Sequence, residues 1–229
     1  MVVRKLGGER VYYPSRQALG DQLAARLMQF KQKECIIVCL KPSSLLACVE
    51  LAAHLHAYIY LQCYEIVKDP YNITRTLGAV IPSGDFVLNP EINDGEYEFI
   101  LANFMGQVQQ GKREAISKVN KNPFVDRNVD IHVANGRDVI LFADILEGTL
   151  EVEIAKRILK PIASVSMNGV GGNISSEVSL KFQMETSSST YMDVLSSGTF
   201  DDDHYFEQLD QYTEEQKFNL ASNISLYWA

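Results

Sequence analysis

Two short stretches have residue types and spacing that could hold an anion. The first is Val139-Ile140-Leu141-Phe142-Ala143-Asp144-Ile145-Leu146-Glu147-Gly148-Thr149. Its four leading apolar residues read as a buried strand and 143–149 as a small turn. Leu150, Ile154, Ile158 and Leu159 recur behind it at helical spacing. The first amide N–H groups of a helix have no partner inside it, so such a turn offers donors and a positive dipole end to a phosphate. Gly148 lets the backbone approach a ligand, and Thr149 adds a hydroxyl. The second stretch is Lys41-Pro42-Ser43-Ser44, between the apolar run 35–40 and an apolar helical pattern to about residue 57. Ser43 or Ser44 can cap that helix, and Lys41 places a cation at its mouth. Either stretch also makes sense as a capped connector that binds nothing.

The elements that must position these turns follow from periodicity. Residues 1–14 read as an entry strand or arm. Ser15 is a candidate N-cap for a helix over 16–31 with Leu19, Leu23, Leu27 and Phe30 on one face. The continuous apolar run Cys35-Ile36-Ile37-Val38-Cys39-Leu40 is the mark of a strand buried on both faces, as in a parallel sheet. Residues 58–66 predict a strand, 68–72 a loop, and 78–81 with 86–88 a hairpin around Pro-Ser-Gly-Asp. One or two helices are expected over 91–121. After the central strand and helix, 161–167 predicts a strand, 168–176 a Gly-rich loop, 178–184 a strand and 214–220 a short helix. In an open parallel sheet ligands sit at the carboxyl ends of the strands, and both turns fall on that edge. The rhythm predicts a single α/β domain, a doubly wound and mostly parallel sheet flanked by helices.

Composition narrows the function. The chain has 229 residues, and its 29 acidic against 21 basic residues give a net charge of −8. That argues against nucleic acid as a partner, because such binding rests on neutralising phosphates. No stretch approaches the roughly 18 apolar residues of a membrane span, and the first residues lack the apolar run of a secretion signal. Cys35, Cys39, Cys48 and Cys63 lie in apolar surroundings and are expected to be reduced core thiols of a cytoplasmic protein. No Ser-His-Asp, zinc-protease or P-loop motif is present. His54 and His56 stand two apart on a predicted helix and face different ways. Asp201-Asp202-Asp203-His204 reads as a solvated acidic loop, and no metal site is assigned to the chain's own residues.

The central stretch resembles the phosphoribosyl-pyrophosphate motif of type I phosphoribosyltransferases: four apolar residues, two acids, small residues, then Thr-Gly and a further Thr. Lys41-Pro42-Ser43-Ser44 stands where that family has its pyrophosphate loop. The run Ile66-Val67-Lys68-Asp69-Pro70-Tyr71-Asn72, followed by Leu77-Gly78-Ala79-Val80, is similar to a segment of one bacterial branch. So is the tail around His204-Tyr205-Phe206-Glu207. The likeness covers about residues 10–220. It implies one domain over 1–229 with a core at about 10–185, a small hood, and a C-terminal segment 186–229 on or near that hood.

The resemblance also implies roles. Asp144 would be the ribose-binding and catalytic acid, and Glu147, Gly148 and Thr149 would line the phosphate cradle. Lys41, Pro42, Ser43, Ser44 and Lys68 would face pyrophosphate, with Mg²⁺ as cofactor and a homodimer as the common assembly. The sequence departs from the motif at Ala143, which cannot bond a hydroxyl, and at Glu147, where a threonine is usual. The first loop lacks the family's glycines and arginine. Two functions stay open. One is transfer of phosphoribosyl from phosphoribosyl pyrophosphate to a nitrogenous base. The other is a non-catalytic relative that senses a nucleotide or phosphate, or binds a protein.

Overall fold

The computed structural model describes residues 5–6, 10–11, 15–31, 34–146, 148–164, 166–174, 194–195 and 212–227. Their contacts divide the chain into two compact units. One comprises the described residues of 1–62, 128–148 and 161–229; the other comprises 63–127 and 149–160.

In the first unit, β1 (Lys5–Leu6) and β2 (Arg10–Val11) form a small antiparallel pair. Helix α1 (Arg16–Arg26) starts at Ser15, whose Oγ accepts the Ala18 N–H at 3.2 Å, as the sequence predicts. It ends earlier than expected. Leu27 caps it and Met28–Phe30 tightens into a 3₁₀ turn, still burying Leu27 and Phe30. Strand β3 (Ile36–Cys39) is buried throughout and leads through a 3₁₀ turn, Pro42–Ser44, into α2 (Leu45–Leu55). Strand β4 (Tyr58–Leu61) follows. Helix α2 packs on β3 and β4 and against α1. Its close approach to α1 is set by Gly20, where a Cβ would lie 2.6 Å from the Ala47 carbonyl oxygen and 2.7 Å from Glu50 Cβ.

The second unit begins where the expected strand 58–66 breaks. Its later part is β5 (Glu65–Lys68), which pairs antiparallel with β6 (Thr76–Val80), and β6 pairs with β7 (Phe86–Leu88). The region 91–121 is one helical rod, α3 (Asp94–Val119), interrupted at Phe104. Asn93 and Glu96 form a reciprocal capping box at its start.

Back in the first unit, β8 (Asp138–Leu146) runs beyond the predicted strand, so residues 143–146 are not a turn. Helix α4 (Leu150–Leu159), which belongs to the second unit, starts at the expected residue. There Leu150 and Ile154 pack with Ala79 and Ile81. Strand β9 (Ser166–Ile174) replaces the predicted loop over 168–176. It pairs in register along β8, from Asp138↔Ser166 to Leu146↔Ile174. Backbone polar groups at that depth need partners, and the ladder supplies them irrespective of the low strand propensity of Gly169 and Gly171. Strand β10 (Val194–Leu195) adds at the edge, and α5 (Glu214–Tyr227) is twice the length predicted and packs on α2 and β4. The predicted strand 178–184 and the acidic loop 201–204 lie outside the described residues.

The sheet of the first unit has the order β10-β9-β8-β3-β4, every neighbouring pair parallel. The fold is α/β, a mostly parallel sheet flanked by helices. Among the described residues no helix is long and apolar enough to cross a membrane. All four cysteines are free and buried. Burial pushes the Cys35 thiol up to about 12, and Cys48 is raised by burial and by Cys39 and Asp144 nearby.

Gly20→Ala is expected to push α1 off α2 and to lower the unfolding free energy by about 1–3 kcal/mol, read from urea denaturation midpoints. An unchanged midpoint would mean the helices can part freely.

Candidate functional site

Strand order locates a topological switch point. From β3 the chain steps one way to β4, then returns to place β8, β9 and β10 successively on the other side. The reversal falls between β3 and β8, and open α/β sheets bind ligands outside the carboxyl ends of strands at such a switch point. The two strands pair Cys39↔Phe142, and the Leu40 N–H donates to the Phe142 carbonyl at 2.9 Å. The segment that leaves β3 here is Lys41–Ser44.

Asp144 joins this loop to β8. It is 1% exposed and Ser44 is fully buried. The Ser44 hydroxyl donates to Asp144 Oδ1 at 2.5 Å and accepts the Asp144 N–H at 2.9 Å. The Ile145 N–H donates to the same Oδ1 at 2.9 Å, with Ser43 Oγ at 3.5 Å. Arg16 Nε donates to Oδ2 at 2.5 Å. A carboxylate this deep is held only where donors replace water, and here both oxygens have them.

Of the sequence-predicted site residues, the structure thus brings Ser43, Ser44 and Asp144 together. Lys41 and Pro42 stand beside them in the same loop. Lys41 is half-buried and extended, its carbonyl accepting the Cys39 thiol at 3.0 Å. Gly148 is half-buried at the end of the same segment of the first unit. Glu147 lies outside the described residues. Thr149 and Lys68 belong to the second unit. Thr149 occupies the N-cap position of α4, 3% exposed, and its side chain makes no capping hydrogen bond. Lys68 ends β5, exposed, on a groove it shares with Gln107, Gln110, Glu114 and Lys118 of α3.

Sequence reasoning assigned no site role to Arg16. The signal was present: a cation at the first helical position, directly after the cap, opposes the helix dipole and calls for a compensating acid.

Among the described residues, one mixed set of donor groups converges elsewhere. Asp21 on α1 and Glu50 and His54 on α2 bring their donor atoms within 4.8 Å of one another. His54 Nε2 lies 2.8 Å from Asp21 Oδ1, on the exposed surface. Partial burial and then the Asp21 charge raise the Glu50 carboxyl above its usual value, with His54 opposing.

No protein-family model matches the chain, and neither does any curated protein. Among solved structures, that of TT1426 from Thermus thermophilus superposes with a TM-score of 0.66 at 20% identity, covering 95% of this chain and 99% of that one. This likeness shows a shared fold. Two others score 0.42, at 11% identity. One is a hypothetical protein from Neisseria gonorrhoeae with bound ppGpp, with 96% of this chain and 99% of that one covered. The other is hypoxanthine phosphoribosyltransferase from Trypanosoma cruzi in complex with IMP, with 93% and 94% covered. TM-scores below 0.5 do not establish a common fold.

Asp144→Ala removes the acceptor shared by Arg16, Ser43 and Ser44. It is expected to cost about 3 kcal/mol in chemical denaturation, against less than about 0.5 kcal/mol for Lys41→Ala on the loop rim. Glu50 gives a pH signature. Its raised folded-state value means its contribution to stability is present below the ordinary glutamate value and lost as pH rises through the raised one. Glu50→Gln is therefore expected to raise Tm at neutral pH, with the gain over wild type vanishing below about pH 4. A gain that persisted in acid would assign the effect to something other than charge.

Proposed function

We propose that the carboxyl edge between β3 and β8 binds the phosphates of phosphoribosyl pyrophosphate or a nucleotide, and that the protein is a phosphoribosyltransferase-type transferase acting on a nitrogenous base. The observation that supports this best is the switch point. The loop resembling a pyrophosphate loop and the strand resembling the phosphoribosyl motif are neighbours there, tied by the Ser44–Asp144 bonds.

Within this reading the residues divide their work. Ser44 and Asp144 are positioning residues: both are buried and bonded to each other, so they fix the loop rather than touch substrate. Lys41 and Ser43, half-buried at the rim, face the pyrophosphate, where a fixed cation and hydroxyl stabilise the charge that grows as it leaves. The base nitrogen attacks C1 of the ribose and loses its proton. The C1–O bond breaks, and pyrophosphate departs with the electron pair. Positioning the two reactants is the main service such a site gives. Mg²⁺ demands open oxygen ligands in octahedral array. The Asp144 oxygens are already taken by Arg16, Ser44 and Ile145, and Ala143 supplies none. These residues do not fit a protein-held Mg²⁺; the ion would enter as the counter-ion of pyrophosphate.

Calorimetric titration with Mg²⁺-phosphoribosyl pyrophosphate is expected to give micromolar binding, about −8 kcal/mol. Lys41→Ala should weaken it about tenfold or more with Tm unchanged. Pyrophosphate release on adding purine or pyrimidine bases reads the transfer step. Absence of binding at millimolar ligand rejects the proposal.

A further inference from the structure

The second unit has an open pocket of about 350 Å³ between the loop that joins β5 to β6 and the first turns of α3. We propose that it takes a small planar aromatic molecule bearing an amino group or ring N–H, with Asp69 as the acceptor. This goes beyond the phosphoribosyl reading and does not rest on it.

Asp69 carries the argument. It lines the cavity yet is only 1% exposed. Its Oδ1 accepts the Tyr71 N–H at 2.8 Å, and its other oxygen has no donor among the described residues. That second oxygen is not among the buried side-chain atoms left without a partner, so it opens to the pocket, where water meets it and a ligand donor can take that water's place. The cation beside it does not donate to it. Arg75 directs its guanidinium to Glu96, at 3.2 and 3.3 Å, and to the Glu91 carbonyl at 2.8 Å. The missing donor is one a ligand can bring.

The walls specify the rest of that ligand. Tyr71 and Phe99 both border the cavity, their rings perpendicular at 85° and 5.7 Å apart, and they are 68% and 52% exposed. Aromatic faces left this open form a ready surface for a flat apolar body. Charge selects against an anion: Asp69 and Glu96 outnumber Arg75, so a phosphate or carboxylate would meet net repulsion. The volume falls at the lower end of the ~300–1,000 Å³ of ligand sites, suiting a nucleobase-sized molecule.

The loop is also fixed in advance. The Asp69 N–H donates to the Arg75 carbonyl at 3.1 Å, and the Asn72 side chain accepts from Thr74 N–H and Oγ at 3.2 and 2.7 Å. A ligand therefore loses little free energy to ordering the loop. On the opposite side Gly95 borders the cavity with no side chain, and a Cβ there would meet only Asn93 Oδ1, at an ordinary 3.4 Å.

The test titrates the full chain with 2-aminopurine, whose fluorescence is quenched on stacking. Saturable quenching with Kd below about 1 mM is expected. Asp69→Asn should weaken it about tenfold or more, through loss of a charge-assisted hydrogen bond. Gly95→Leu should abolish it by filling the cavity, with Tm not lowered because leucine is the better helix former. Unsubstituted purine should compete more weakly than adenine, and Lys41→Ala should titrate like wild type. The proposal is overturned by no saturable quenching, by Asp69→Asn and Gly95→Leu binding as wild type does, by AMP competing better than adenine, or by Lys41→Ala abolishing the signal.

Discussion

The arrangement at the sheet edge depends on one buried charge. Asp144 reaches almost no water, yet its two oxygens meet Arg16 from the start of α1 and Ser44 from the turn after β3. An uncompensated carboxylate there would be costly, so the three segments must arrive together or the fold loses the interaction at once. The same bonds answer a second difficulty. A cation in the first turn of a helix is unfavourable by itself, and Arg16 is tolerated because its partner lies on the neighbouring strand. The hydroxyl of Ser44 both donates to and accepts from Asp144, so neither a threonine-sized shift of the loop nor a slip of β8 leaves the pair intact. A ligand site built on this edge inherits a loop whose position is already fixed.

Local signals and long-range pairing divide what the sequence reveals. The runs at 35–40 and 139–142 were legible because a strand covered on both faces must be apolar at every position. The Ser15 cap and the start of α4 were legible because caps and helical spacing are local. What escaped was set by partners distant in sequence. Nothing in Ala143–Leu146 announces strand; β9 draws it into the ladder. The Gly-rich 168–174 is strand for the reciprocal reason, since a buried backbone must pair whatever its propensity. The run 58–66 looks like one strand, but its halves belong to different sheets, a distinction that alternation cannot express.

The candidate site was legible as two stretches of chain, one of them taken for a turn where it is strand, and illegible as a network. Lys41, Ser43 and Ser44 were identified by type and spacing and Asp144 by the family resemblance, and parallel pairing of β3 with β8 places them at adjacent strand ends. Arg16 stands 128 residues from its partner, and no period or motif links the two. Burial also recasts roles. Exposure and prior bonding separate residues that organise an edge from those able to meet a ligand, and a one-letter motif cannot make that separation. Asp144 and Ser44 are buried and bonded to each other, whereas Lys41 and Ser43 are half-buried beside them.

Charge gives the two proposed sites opposite tasks. The chain as a whole carries −8, so its long-range field repels anions and any phosphate must be captured by local donors at short range. That favours a rigid edge, where a lysine and a hydroxyl act within a few ångströms, over diffuse attraction. The cavity beside Asp69 works with the field instead. Its local excess is acidic, its walls are aromatic, and its open acceptor is a carboxylate. A neutral or cationic donor loses nothing to the net charge and gains a buried hydrogen bond. Chemical selectivity between the two proposed places thus follows from which charge is already satisfied: at Asp144 the protein supplies the donors, and at Asp69 the described residues supply one, the Tyr71 N–H.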